Sequence, residues 1–383
     1  MEETKKVIYC PTQLRGFQKH LLNELKEKYK IEANSNQFFE KISLKKKILS
    51  KIVRSRLADF FGIIQVISPK YKNDLIFSYN RFIKGNDYII NLENPTALYH
   101  YSLGRNKSFL GKLKIKKELD NPKLKKIVCI SKACYSTTSK LLNDESIKSK
   151  LLQIYPYIED RNINLKEIEK KSKGKSLNLL FISSEFYLKS GKEILECMKS
   201  LIDNSIQLTI VTQIKKIKKE DLAQIKKDSR IKLLEFNLNF KELNEIYNRS
   251  NVLLHPTRQD SSPLVVLESM KQGIPCIGTT IYAIPEMIQD GKNGFLIEPK
   301  FLFFDKNNMP NPKVWNNRKK TIYSDYCDEK IVEFLKEKIL LYYNNRELLY
   351  EHSKNSYLKS INKEFSSKNI KSKWLELIGD ICE

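Results

Sequence analysis

The residues best placed to do chemistry lie between positions 252 and 296. An apolar burst, Val252–His255, is followed by a polar loop holding Arg258, Asp260, Ser261 and Ser262, then by Pro263, Leu264, Glu268, Gly273 and Pro275. The burst has the length and composition of a buried strand. Ser262 is placed to cap a helix whose first position is Pro263, where the missing N–H of proline is no loss. Gly273 stands where a left-handed residue closes that helix, and Pro275 forbids its continuation, so a helix is expected over 264–272. Its open amino end attracts a phosphate through unpaired N–H groups and the helix dipole. Glu268, in the second turn, can accept hydrogen bonds from two neighbouring ribose hydroxyls, which leaves Asp260 facing whatever the phosphate carries. Arg258 reads as a phosphate contact or an exposed loop residue, and His255 as a core histidine or a ligand contact. A nucleotide site is the chemistry that this spacing describes.

Such a site needs a parallel sheet behind it, because open α/β folds bind ligands at the carboxyl ends of their strands. Apolar bursts do alternate with amphipathic stretches along the chain. Strands are expected at Val7–Cys10, 62–67, Tyr88–Leu92 and 127–130, and again at 177–182, 207–212, 231–236, Val252–His255 and 276–278. Residues 160–176 are polar and end in Gly, Ser and Lys. The expected division is a domain over 1–165, a linker over 166–176, a second domain over 177–360, and a last helix over 361–383 crossing back to the first. Residues 301–325 read as an insertion loop.

The block from Asp260 to Gly294 resembles the retaining GT-B glycosyltransferases often called glycosyl transferases group 1. Their hallmark is an acid, seven positions, then Glu, ahead of Gly-x-Pro; here it reads Asp260, Glu268, Gly273 and Pro275. The acid is Asp where the family most often has Glu. Residues 181–195, with Phe181, Lys189 and Gly191, are similar to the family's strand, loop and Lys-Gly segment, and Pro285, Glu286, Asp290 and Gly294 fit its downstream pattern.

The resemblance implies two Rossmann-like doubly wound parallel-sheet domains facing a central cleft. It implies Lys189, Asp260 and Glu268 as catalytic residues, with Gly16, Lys189, Arg258, Ser261, Ser262, Pro263, Leu264 and Glu268 around the donor. It also implies transfer of a sugar from a nucleotide-diphosphate sugar with retention of configuration, by same-face attack and without a metal or other cofactor. Gly16 stands where these enzymes have a glycine loop. Glu93 and Asn94, after the strand Tyr88–Leu92, and His100 are the acceptor-side candidates, the acceptor being a glycan or a lipid-linked sugar.

Charge adds one expectation. The chain carries 69 Lys and Arg against 45 Asp and Glu, a net +24, and residues 1–170 hold +16 of it. The excess draws the protein toward polyanions, of which an anionic membrane surface met by the Lys-rich stretches 41–58 and 107–117 is one; the chain lacks the aromatic-basic interleaving of a specific nucleic-acid binder. Much of the charge is also what a Lys- and Asn-rich composition produces on a solvated surface. No apolar run reaches the roughly 18–20 residues of a membrane-spanning helix, and MEETKKVIYC lacks the order of a secretory signal. Seven scattered cysteines without a C-x-x-C point to a reducing compartment, so a cytoplasmic protein, peripheral on the inner membrane face, is expected. Two other readings remain: a GT-B scaffold without activity that binds a partner, and a basic polyanion binder.

Overall fold

A computed structural model describes residues 5–12, 14–33, 52, 53, 55–69 and 74–383. The chain divides into two units, the first built from 1–158, 306–312 and 367–383, the second from 159–305 and 313–366.

Each unit is a parallel sheet wound in two directions. In the first, the strand order is Lys30–Ala33, Val7–Cys10, Leu75–Tyr79, Tyr88–Leu92, Leu124–Cys129, Leu151–Gln153. In the second it is Ile231–Glu235, Ile206–Thr212, Leu177–Ser183, Val252–His255, Cys276–Thr279, Gly294–Ile297. All neighbouring pairs in both sheets are parallel. Helices cover both faces of such a sheet, so its inner strands read as continuous apolar runs; every residue of Tyr88–Leu92 and of Val252–His255 is buried. The chain reverses its direction of growth beside the first strand of each unit. These switch points lie between Val7–Cys10 and Leu75–Tyr79, and between Leu177–Ser183 and Val252–His255.

Two expected boundaries differ. The stretch 166–176 is not a linker: Leu165–Ser172 is a helix inside the second unit, capped by the Asn164 side chain, which accepts from the Lys166 N–H at 2.9 Å. Lys166, Glu167 and Lys170 face outward, whereas Lys171 donates to the Gln272 carbonyl at 3.0 Å; Ile168 and Ser172, four apart, are buried, and the Ser172 hydroxyl meets that of Ser353 at 3.3 Å. The units therefore divide at 158/159, ahead of this helix. Residues 301–325 are a packed segment, with Phe303 stacked on Trp315 at 4.1 Å and Phe304 on Tyr282 at 4.0 Å.

Of the expected strand 62–67 only Val66–Ile67 forms, paired with Phe82–Ile83. The strands Lys30–Ala33, Leu75–Tyr79, Phe82–Ile83, Leu151–Gln153 and Gly294–Ile297 were not expected, because runs of two to five residues give no period to read. The last helix, Ser367–Cys382, belongs to the first unit. In the second unit the buried Lys271 side chain donates to the Asp160 carboxylate and to the carbonyls of Ser360 and Phe365, at 2.6 and 2.7 Å for the last two. Most of the stretch 41–58 lies outside the described residues. Among the described residues no helix is long and apolar enough to cross a membrane.

Candidate functional site

The loops that follow the two strands flanking the second switch point each deliver one charge. After Leu177–Ser183 the chain makes a tight helical turn in which the Lys189 N–H bonds to the Glu185 carbonyl at 3.1 Å and the Gly191 N–H to Phe186 at 2.8 Å. Glycine is required at 191, since a Cβ there would lie 2.4 Å from the Phe186 ring. The turn aims Lys189 across the sheet edge. After Val252–His255, the loop is tied back to that turn by the Arg258 N–H, which donates to the Leu188 carbonyl at 3.0 Å.

The two loops meet at one carboxylate. The Lys189 ammonium donates to the Asp260 Oδ2 and to the Gln259 carbonyl. His255 Nε2 lies 3.3 Å from the same Oδ2, and Oδ1 accepts from the Ser261 N–H at 2.9 Å. Burial works to raise the Asp260 pKa, but the Lys189 ammonium and the His255 ring overcome it and hold the carboxyl far below its ordinary range. Burial lowers the pKa of His255, against the pull of Asp260, so the ring is neutral at physiological pH. Lys189 and Asp260 keep 15% and 17% of their side-chain surface exposed, enough for a ligand to touch both.

The helix Leu264–Lys271 begins just beyond. Pro263, not Ser262, holds the cap position, with an extended ψ of 109°, and no side chain caps the helix there. The sequence-based register was one residue early. Its amino end therefore opens beside Ser261 and Ser262, both partly exposed. At the other end Gly273, at φ +61°, closes the helix as expected: its N–H bonds to Met270 and that of Ile274 to Ser269, at 3.0 and 2.9 Å. Glu268 is half-buried, and the phenol of the buried Tyr247 donates to its Oε2 at 2.7 Å.

Arg258 is not placed as a phosphate contact. It is 2% exposed, and its guanidinium donates to Glu193 at 2.6 Å and to the carbonyls of Tyr326 and Ser324 at 2.7 and 3.1 Å, lying over the Tyr326 ring. Both terminal nitrogens are thus held by protein groups, while Nε is buried without a partner, and the side chain clamps the base of the loop.

The first unit gathers its own cluster at its switch point. Glu93, just past the strand Tyr88–Leu92, accepts from Tyr79 and Tyr101, each phenol at 2.6 Å. The Arg15 guanidinium sits 5.8 Å from the centre of the Tyr79 ring. Asn94 is buried, accepting from the Thr96 hydroxyl and holding the cap position of the short helix Pro95–Tyr99. His100 ends that helix in a left-handed conformation, φ 54°, and Tyr101 follows at φ 59°. Gly16 is the first residue of the helix Gly16–Leu25 rather than part of a glycine loop, with open space around its α-carbon. Tyr247, Tyr79 and Tyr101 carry no signal in the sequence, since each finds its carboxylate only through the fold.

Residues 177–302 match the family described as Glycosyl transferases group 1. This part of the chain is a glycosyl transferases group 1 domain. It is similar to N-acetyl-alpha-D-glucosaminyl L-malate synthase of Bacillus anthracis, 31% identical over 96 residues, which are 23% of this chain and 25% of that protein. The curated relatives are thus matched over a quarter of their length or less. At the level of fold, HepE of Anabaena, solved in complex with UDP-glucose, superposes with a TM-score of 0.61 at 13% identity, over 98% of this chain and 100% of that one. WaaG, a glycosyltransferase involved in lipopolysaccharide biosynthesis, does so with a TM-score of 0.58 at 13% identity, over 97% and 99%. The two parallel-sheet units of this chain are those of the GT-B fold.

Proposed function

We propose that the protein is a glycosyltransferase that moves a sugar from a nucleotide-diphosphate sugar to a glycan or lipid-linked acceptor, with retention of anomeric configuration. The observation that carries this reading is the meeting of Lys189 and Asp260 at the switch point, beside the open end of the helix Leu264–Lys271 and inside the glycosyl transferases group 1 domain. The complexes of HepE with UDP and UDP-glucose, and the role of WaaG in lipopolysaccharide assembly, support a nucleotide-sugar donor and a glycoconjugate product.

In this reading the diphosphate lies against the helix start and Lys189, the ribose against Glu268, and the sugar toward Asp260. The bond between the anomeric carbon and the diphosphate oxygen breaks while the acceptor oxygen attacks from the same face. The acceptor proton passes to the departing phosphate oxygen. Lysine and helix dipole stabilise the charge that grows on the leaving group, more in the transition state than before it, without a metal.

The test is donor hydrolysis and transfer with a panel of nucleotide-sugars, with and without EDTA, for the parent protein and for Lys189→Ala and Glu268→Ala. Loss of turnover in both variants, with EDTA harmless, is expected. Unchanged turnover in both discards the site, and the inactive-scaffold reading predicts no turnover from any donor.

A further inference from the structure

The segment that follows the strand Gly294–Ile297 turns back onto the loops of the switch point. Phe301 meets the Tyr326 ring edge-on, with ring centres 5.1 Å apart, and the stacks of Phe303 and Phe304 fix its middle. Beyond them Arg318–Lys320 makes a single helical turn, closed by the Tyr323 N–H, which donates to the Arg318 carbonyl at 2.8 Å. The far side of this turn is held at several points. The buried Arg258 guanidinium donates to the carbonyls of Ser324 and Tyr326, and the Ser324 hydroxyl donates to Thr321. The Asp325 carboxylate lies between Lys192 and Lys218, at 3.4 and 2.6 Å. Those lysines stand at the amino ends of the helices Gly191–Ser200 and Lys219–Lys227. The segment is therefore pinned to the connections after three neighbouring strands, Ile206–Thr212, Leu177–Ser183 and Val252–His255.

Tyr323 stands in this frame with its ring outside, 54% exposed. Its hydroxyl lies 3.5 Å from Gln259 Oε1, too far to fix the side chain firmly. Other rings of the segment are covered: Arg258 lies over Tyr326 at 4.0 Å, and Arg318 over Trp315 at 4.7 Å. Among the described residues no ring or cation lies on Tyr323. A lone exposed aromatic on an ordinary surface needs no explanation. This one is carried on a backbone that a buried ion pair holds in place, and it borders the reactive charges. Gln259 is the link, because its carbonyl accepts from the Lys189 ammonium and Asp260 follows it in the chain.

A sugar beside Asp260 presents two kinds of surface. Its hydroxyls call for a charged acceptor, which Asp260 supplies, and its face of C–H groups calls for an apolar one. Binding sites combine the two, aromatic area for contact and a few polar groups for orientation. Lys189, Gln259, Asp260, Ser261 and Ser262 offer only the polar part. Tyr323 supplies the other.

We propose that Tyr323 is a specificity residue of the donor site, its ring packing on the C–H face of the sugar that is transferred. This role rests on the glycosyltransferase reading above and adds the residue that reads the sugar apart from the nucleotide.

Binding titrations of the full chain test it. The parent, Tyr323→Ala and Tyr323→Phe are titrated with UDP-glucose and with UDP, then with the other nucleotide-sugars of the panel and their nucleoside diphosphates. Tyr323→Ala is expected to bind the nucleotide-sugar about tenfold more weakly, the scale of one aromatic contact, and the diphosphate as the parent does. Tyr323→Phe keeps the ring and should keep the affinity that the sugar adds. The side chain is exposed, and an unchanged melting point establishes that both variants fold. Equal loss for both ligands would place the effect in the Lys189 loop. A Phe variant as weak as the Ala variant would assign it to the Gln259 contact, and an Ala variant that binds the nucleotide-sugar like the parent would leave the ring in solvent. Each of these overturns the role of Tyr323 while the function stands. A parent that neither binds nor turns over any nucleotide-sugar overturns the function, and the role of Tyr323 with it.

Discussion

Lys189 and Asp260 stand 71 positions apart in sequence and form an ion pair at the edge of the second sheet. The pair exists because the first and fourth strands of that unit are neighbours, so the loop after one delivers the ammonium and the loop after the other the carboxylate. With His255 on the same oxygen, Asp260 stays ionised and Lys189 is held in a fixed position before any ligand arrives.

Asp260→Asn should lower the transfer rate about a hundredfold, the scale on which fixed electrostatic groups act. Lys189→Ala should cost at least as much. Because the two act as one unit, the double variant should be little worse than Lys189→Ala alone, and steady-state kinetics on all three measure the coupling. Fully additive losses would show that the residues work separately.

Arg258→Ala should destabilise the protein by about 3 kcal/mol, because it leaves the Glu193 carboxylate buried without its partner. Urea unfolding measures this. Glu193→Met with Arg258→Met should recover much of the loss, since an apolar pair removes both charges. If Arg258 instead contacts donor phosphate, the single variant weakens nucleotide-sugar binding and leaves stability near that of the parent.

Stability should fall as the solution is acidified below about pH 6.5, the ordinary value for histidine. Burial lowers the pKa of both His255 and His352 in the folded state. The unfolded chain therefore takes up protons first, and the loss grows until pH passes the folded values. Asp260 runs the same way at lower pH: its depressed pKa contributes stability that is fully present above the usual carboxylate range and is lost as pH falls from there through the low folded value. Urea midpoints between about pH 7.5 and 5.5 should drop for the parent and drop less steeply for His352→Gln. Equal slopes would assign the acid sensitivity to other groups.

Tyr101→Phe should raise the acceptor KM about fivefold while the donor affinity stays the same, because it removes one of two phenols that hold Glu93. A change in donor affinity alone would place this cluster outside acceptor recognition.

The sequence was most informative where local chemistry and fold agree. Pro263, Gly273 and Pro275 punctuate the helix that follows Asp260, and the structure places that helix within one residue of expectation. Arg258 misled because a lysine- or arginine-bearing loop beside an anion site looks the same whether its cation faces ligand or protein. Only the fold supplies Glu193, 65 positions away, that draws it inward. The helix Leu165–Ser172 was hidden for a different reason: with Leu165 and Ile168 as its two large apolar residues among lysines and glutamates, its composition is that of a linker.

Lys271 brings together Asp160, the second residue of its unit, and Phe365, the last but one. The second unit is in effect a ring whose clasp is a single ammonium. Joining its old ends through a short peptide and opening it at an exposed loop elsewhere would preserve every strand pairing, the condition under which circular permutation succeeds. The clasp is also at the opposite end of its helix from Asp260, so such a rewired ring would keep its anion-facing end as it is.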